Sequence, residues 1–178
     1  MFLAARPQLV EFSRSTSEPD IVVVGDNEFV IIEAKLTASN NTTPTNLEVE
    51  NNYTAGGGRW FAQVFTEDFQ TIAVDAKKYE LLRFWLLGTW LANELGMPFH
   101  LLNLVRGECE KDIEGRFGLF IRQHSKARFS RGSWEDIWRF IQESGPKTPE
   151  TTIVLDYFSN RTTGYSNGFL KRAFNLAS

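Results

Sequence analysis

The sequence predicts a mixed α/β domain, a β-sheet flanked by helices, and three observations carry that expectation. Residues 20–24 (DIVVV) and 29–35 (FVIIEAK) are β-branched runs separated by the turn residues Gly25-Asp26-Asn27-Glu28. Residues 76–95 form a helical stretch that is apolar nearly all round, and residues 99–105 (FHLLNLV) follow as a buried strand. With 178 residues, 42% apolar and 23% charged, the chain is long and apolar enough for one well-packed domain without metals or disulfides.

Taken in order, residues 8–12 read as a short strand. Both β-branched runs are apolar at consecutive positions, so both faces of each are expected to be covered. Residues 37–58, rich in Asn, Thr and Gly, read as a long mobile excursion, with Gly56-Gly57-Gly58 a flexible loop and Trp60 exposed after it. Asp75 occupies the N-cap position of the apolar helix, which Gly96 and Pro98 end.

Residues 116–123 read as a further strand. Ser133 caps a helix running to about residue 143, with Trp134, Ile137, Trp138, Phe140 and Ile141 as its inner stripe. Residues 152–157 read as extended, and Ser166 opens a last short helix carrying Phe169, Leu170, Ala173 and Phe174.

Composition excludes several classes. One cysteine, Cys109, rules out an internal disulfide and multi-cysteine metal centres, and two histidines rule out a histidine-rich one. Cys109 lies between Glu108 and Glu110, a setting that makes a poor nucleophile. His100 reads as a hydrogen-bonded strand residue. The start resembles no signal peptide and no apolar run reaches a bilayer-spanning length, so a cytoplasmic protein without membrane contact is expected.

Net charge is −3, but residues 1–110 hold 8 Lys+Arg against 15 Asp+Glu, whereas residues 111–178 hold 11 against 7. Arg116, Arg122, Lys126, Arg128 and Arg131 fall in one stretch without an acid, interleaved with Phe117, Phe120 and Phe129. Five such charges repel one another unless an anion is near, which makes the stretch a candidate for tracking a phosphate backbone. His124 lies inside it, and Lys171 and Arg172 extend it.

The hairpin carries the sharpest signal. A two- or four-residue turn makes paired residue numbers sum to 53, so Asp20 faces Glu33, Val22 faces Ile31 and Val24 faces Phe29. Paired side chains share a face about 4.5–5.5 Å apart, and Lys35, two residues beyond Glu33, joins them while Ala34 points away. Two opposed carboxylates on an apolar strand are destabilising unless compensated, and a divalent cation with room for waters, Mg²⁺ or Mn²⁺, would compensate them.

Pro19-Asp20 followed after a hairpin by Glu33-Ala34-Lys35 resembles the signature of the PD-(D/E)XK nuclease superfamily, whose members share the restriction-endonuclease-like fold. The likeness spans about residues 8–106, with residues 107–178 an extension. It implies a three-layer α/β/α domain that hydrolyses phosphodiester bonds of DNA with Mg²⁺, RNA staying open as substrate. Asp20 and Glu33 would then ligate the metal, Ala34 would lend its carbonyl, and Lys35 would be the catalytic lysine. Tyr79, on the following helix, is an auxiliary candidate. Members of the superfamily usually begin with a helix that contributes another acid; here only residues 1–6 precede Pro7, and Glu11 or Glu18 would substitute. A homodimer would suit double-strand cleavage. Two other readings stand beside this one: a catalytically impaired nuclease-like fold that binds nucleic acid or protein, and an α/β domain in which the hairpin charges form only an ion network.

Overall fold

A computed structural model describes residues 18–45, Tyr53 and residues 58–176. The expected strand at 8–12, Glu11 and half of the 37–58 excursion lie outside the described residues. The hairpin forms as the sequence predicts, with strands β1 (Ile21–Val24) and β2 (Phe29–Ala34) antiparallel and Val22 opposite Ile31. The Gly25 amide donates to the Glu28 carbonyl at 2.9 Å and closes a four-residue turn.

A crossover through helix α1 (Gly58–Val64), a π-helical turn (Gln70–Asp75) and helix α2 (Tyr79–Leu95) leads to β3 (Phe99–Val105), parallel to β2. Helix α3 (Ile113–Gly118) leads to β4 (Ala127–Ser133), parallel to β3, so the four-stranded mixed sheet runs β1-β2-β3-β4. Helices α4 (Trp134–Ser144) and α5 (Pro149–Asn160) follow, then a separate hairpin of β5 (Thr162–Ser166) and β6 (Phe169–Arg172).

Helix α2 explains the main core. Leu81, Leu82, Phe84, Trp85, Leu86 and Leu87 are all fully buried, each contributing roughly 1.5–3 kcal/mol by leaving water. It shares one core with Phe29 and Ile31 of β2, and with Phe99 and Leu101 of β3. Gly88 lets the Phe99 ring approach the helix backbone: a Cβ there would sit 2.1 Å from the ring's Cζ. Gly96 takes the left-handed conformation (φ 66°) that ends the helix, as the sequence predicts. Among the described residues no helix is long and apolar enough to cross a membrane.

Several expectations are corrected. β1 is an edge of the described sheet, and its residues Ile21 to Val24 are 41–48% exposed rather than covered. Asp75 does not cap α2, because the π-helical turn absorbs it and Lys77 turns the chain through a positive φ of 56°. Instead the Thr42 side-chain oxygen, 38 residues earlier, accepts from the Glu80 amide at 3.0 Å. Residues 116–123 are not a strand: Ile113 and Phe117, four apart, bury one helical face, and the Phe117 ring packs edge-on against Phe129 at 4.9 Å.

Residues 152–157 lie in α5, whose start is set by Thr148 as N-cap and Pro149 just inside, a signal that outweighs the β-branched run. Ser166 opens no helix, because Asn167-Gly168, both at positive φ (51° and 82°), form a hairpin turn. Ser133 does cap α4, accepting from the Asp136 amide at 3.0 Å, but Phe140 is 68% exposed and leaves the inner stripe. Trp134, Ile137 and Trp138 pack instead on Phe158, Ala173 and Phe174, a second small core that Leu36 also joins.

Candidate functional site

Alternation along β2 buries Phe29, Ile31 and Glu33 on the face that α2 covers, so a carboxylate sits where the pattern otherwise demands a hydrocarbon. Asp20 continues the register opposite Glu33, and its Oδ2 accepts from the Ala34 amide at 2.8 Å. The Lys35 amide stays on the ladder, donating to the Leu104 carbonyl at 2.8 Å. Its ammonium then turns inward to pair with Glu33 Oε1 and, at 3.0 Å, with Glu80 Oε2. The expected trio is thus brought together at the end of β2.

Burial dominates the electrostatics. Glu33 is 3% exposed, and its carboxyl is pushed from 4.5 up to about 7 by loss of solvent. The hydrogen bond and charge of Lys35 oppose the rise, while the charges of Asp20 and Glu80 add to it. At Lys35 burial disfavours the ammonium, yet the bonds to Glu33 and Glu80 outweigh it and hold the pKa above the usual value. Glu33 Oε2 is buried without a hydrogen-bond partner. Such an orphaned carboxylate oxygen is costly, and a bound cation or a proton removes the cost.

Asp20 and Glu33 offer carboxylate oxygens, the donor type that a hard divalent cation such as Mg²⁺ or Mn²⁺ takes. Among the described residues no group of three or more His, Cys, Asp or Glu side chains converges as a metal site.

Sequence reasoning missed Glu80. It chose Tyr79, one residue earlier, whose ring belongs to an aromatic cluster with Tyr53 and Phe69 (6.3 and 6.2 Å) and lies 5.6 Å from the Arg83 guanidinium. The available signal was an acid in the first turn of the helix after the hairpin, where the positive end of the helix dipole stabilises a carboxylate.

Beside the trio lies a buried polar network. Asn103, opposite Glu33 across the β2–β3 ladder, accepts from Asn40 Nδ2 at 2.8 Å and donates to Glu110 Oε2 at 2.9 Å. Glu110 also receives the Asn40 amide (2.8 Å) and Asn40 Nδ2 (2.6 Å). Lys78, 2% exposed, donates to Asn41 Oδ1 at 2.7 Å, and burial lowers its pKa. These bonds fix the chain just after Lys35 against both β3 and the start of α2.

The five cations of the basic stretch sit in different surroundings. Two members form exposed ion pairs: Arg116 with Asp112, one turn earlier (3.4 Å), and Arg128 with Glu28 of the hairpin turn (3.0 Å). Arg131 spends its guanidinium on the carbonyls of Arg106, Gly107 and Cys109 at 2.8–3.0 Å. Arg122 lines a hollow with Phe61, Phe65 and Asp68. Lys126 lines another, with Trp60 and His124. Trp60 itself is half-buried, donating to Thr89 Oγ1 at 3.1 Å. His100 bonds Ser130 Oγ at 2.6 Å, as expected of a strand histidine.

Comparison with protein-family models, with curated proteins and with solved structures finds no match to this chain.

Proposed function

We propose that the chain is a metal-dependent nuclease of restriction-endonuclease-like architecture that hydrolyses DNA phosphodiester bonds. The observation that carries this reading is Glu33: a buried carboxylate with one oxygen on Lys35 and the other unpartnered, beside Asp20. The strand order supports it as well, since the hairpin, crossover helix and parallel strand occur in the order the resemblance implies.

Asp20 and Glu33 would hold Mg²⁺ or Mn²⁺, with the carbonyl of Ala34, the residue after Glu33, as a further oxygen donor. When bound, the cation supplies Lewis acidity toward a phosphate oxygen and lowers the pKa of a coordinated water. Lys35 orients the attacking water and offsets the negative charge that builds on the phosphorane-like transition state. Glu80 positions the Lys35 ammonium from the opposite side of Glu33.

The test is cleavage of circular and linear DNA, with an RNA of the same sequence alongside, in Mg²⁺ and then Mn²⁺. The native chain cuts in a metal-dependent way, and Lys35→Ala and Glu33→Ala abolish cutting. Absence of cutting by the native chain, or equal cutting by the variants, overturns the assignment.

A further inference from the structure

All four residues of β6 are exposed, as are Gly164 and Tyr165 of β5. Tyr165 pairs with Leu170 on one face, while Phe169 and Lys171 share the other. Tyr165 and Phe169 are each 77% exposed and Leu170 is 58% exposed. A two-stranded ribbon without a packed face is marginal alone, and three large apolar side chains in water argue that something covers them.

The charge around the ribbon is of one sign. Residues 157–178 contain Arg161, Lys171 and Arg172 and no Asp or Glu, in a chain whose net charge is −3. None of the three forms an ion pair among the described residues; Arg172 donates to the Ser159 carbonyl and to Asn160 Oδ1 (3.3 Å), and the Arg161 guanidinium lies 5.8 Å from the Tyr157 ring. Glu108, beside the ribbon's root, is paired with Arg106 at 3.1 Å.

The ribbon is also anchored next to the candidate site. The Ala173 amide donates to the Arg161 carbonyl at 2.8 Å and closes the base, and Ala173 and Phe174 then enter the small core that Leu36, the residue after Lys35, packs against. Glu135 ties this end down, accepting from the Asn175 amide at 3.3 Å and the Gly107 amide at 2.7 Å.

We propose that the β5–β6 hairpin is a DNA-contacting arm that lies in a groove of double-stranded DNA with the Phe169–Lys171 face turned to the duplex, Phe169 against base edges and Lys171 and Arg161 on the flanking phosphates. A two-stranded ribbon fits the major groove, exposed aromatics bring apolar area to bases, and the uniform positive charge complements the backbone. The proposal rests on the nuclease reading for its biological substrate, and it deepens that reading by naming duplex DNA.

The test is binding of a fluorescent duplex and of its single strand to the full chain in EDTA, over a salt series. Native protein binds the duplex more tightly than the strand. Phe169→Ser weakens duplex binding by roughly tenfold or more, and Lys171→Gln lowers the salt slope by about one. Both variants keep the native urea midpoint, because the altered side chains are exposed. Unchanged duplex affinity in the variants, tighter binding to the single strand, or no binding by the native chain overturns the arm. Hairpin-dependent binding without cleavage in Mg²⁺ leaves the arm standing and overturns the nuclease assignment instead.

Discussion

Lys35 and Glu80 join the end of β2 to the first turn of α2 through a 3.0 Å contact, although 45 residues separate them. The ammonium is therefore held from two sides, and its direction depends on a residue that carries no part of the hairpin motif. Glu80→Gln keeps the shape but removes the charge. It should lower DNA cleavage by about 10–100-fold, the usual penalty for losing a residue that orients an active group, while Mn²⁺ affinity changes little. Steady-state cleavage measured beside metal binding checks this split.

The raised Glu33 carboxyl makes metal-free stability depend on pH. Its pKa is about 7 in the folded chain against 4.5 in a solvated one, so between those values the folded state holds a proton that the unfolded state has released. Stability is then greatest at the acid end of the window, falls as pH rises through it, and levels off above about 7. The full change is up to roughly 3 kcal/mol. Urea unfolding in EDTA at pH 5 and pH 8 should show this loss in the native chain and a flattened dependence in Glu33→Gln.

Thr42 caps α2 from a distant segment and so controls where Glu80 begins. Thr42→Val should cost about 1 kcal/mol of stability. It should also reduce cleavage, because Glu80 loses its fixed start. Thr42→Ser, which keeps the hydroxyl, should restore both in unfolding and cleavage assays.

Gly88 faces the Phe99 ring, which is itself packed 5.6 Å from Trp85 and 5.8 Å from Phe29 and has no room to retreat. Gly88→Ala should destabilise the protein by about 1–3 kcal/mol from overpacking, reduced by up to about 1 kcal/mol from better helix propensity. A lowered urea midpoint with unchanged slope is the expected result.

The hairpin register, the burial of α2 and the strand at Phe99–Val105 were legible because turn chemistry and hydrophobic period act locally. Elements at 113–118, 149–160 and 162–172 were misread where competing local signals had to be ranked. The β-branched Thr152 and Ile153 mask the Thr148-Pro149 start, and the apolar spacing of Phe169, Leu170, Ala173 and Phe174 masks the Asn167-Gly168 turn. At the site, Asp20, Glu33 and Lys35 were legible from register alone. Glu80 and the Asn40–Asn103–Glu110 network were not, since each depends on a crossover that brings distant segments together. In the basic stretch the partner of Arg128 was hidden for the same reason, since Glu28 lies in the hairpin turn 100 residues earlier.

The account stands most directly on whether Glu33 and Asp20 hold a divalent cation. Calorimetric titration of Mn²⁺ into the metal-free native chain at pH 7.5, with Mg²⁺ as competitor, measures this without reference to any substrate. The account predicts saturable binding that Mg²⁺ displaces, weakened at least about tenfold in Asp20→Asn and in Glu33→Gln while both variants remain folded. Native protein that takes up no Mn²⁺, or folded variants that bind it as the native chain does, would contradict it.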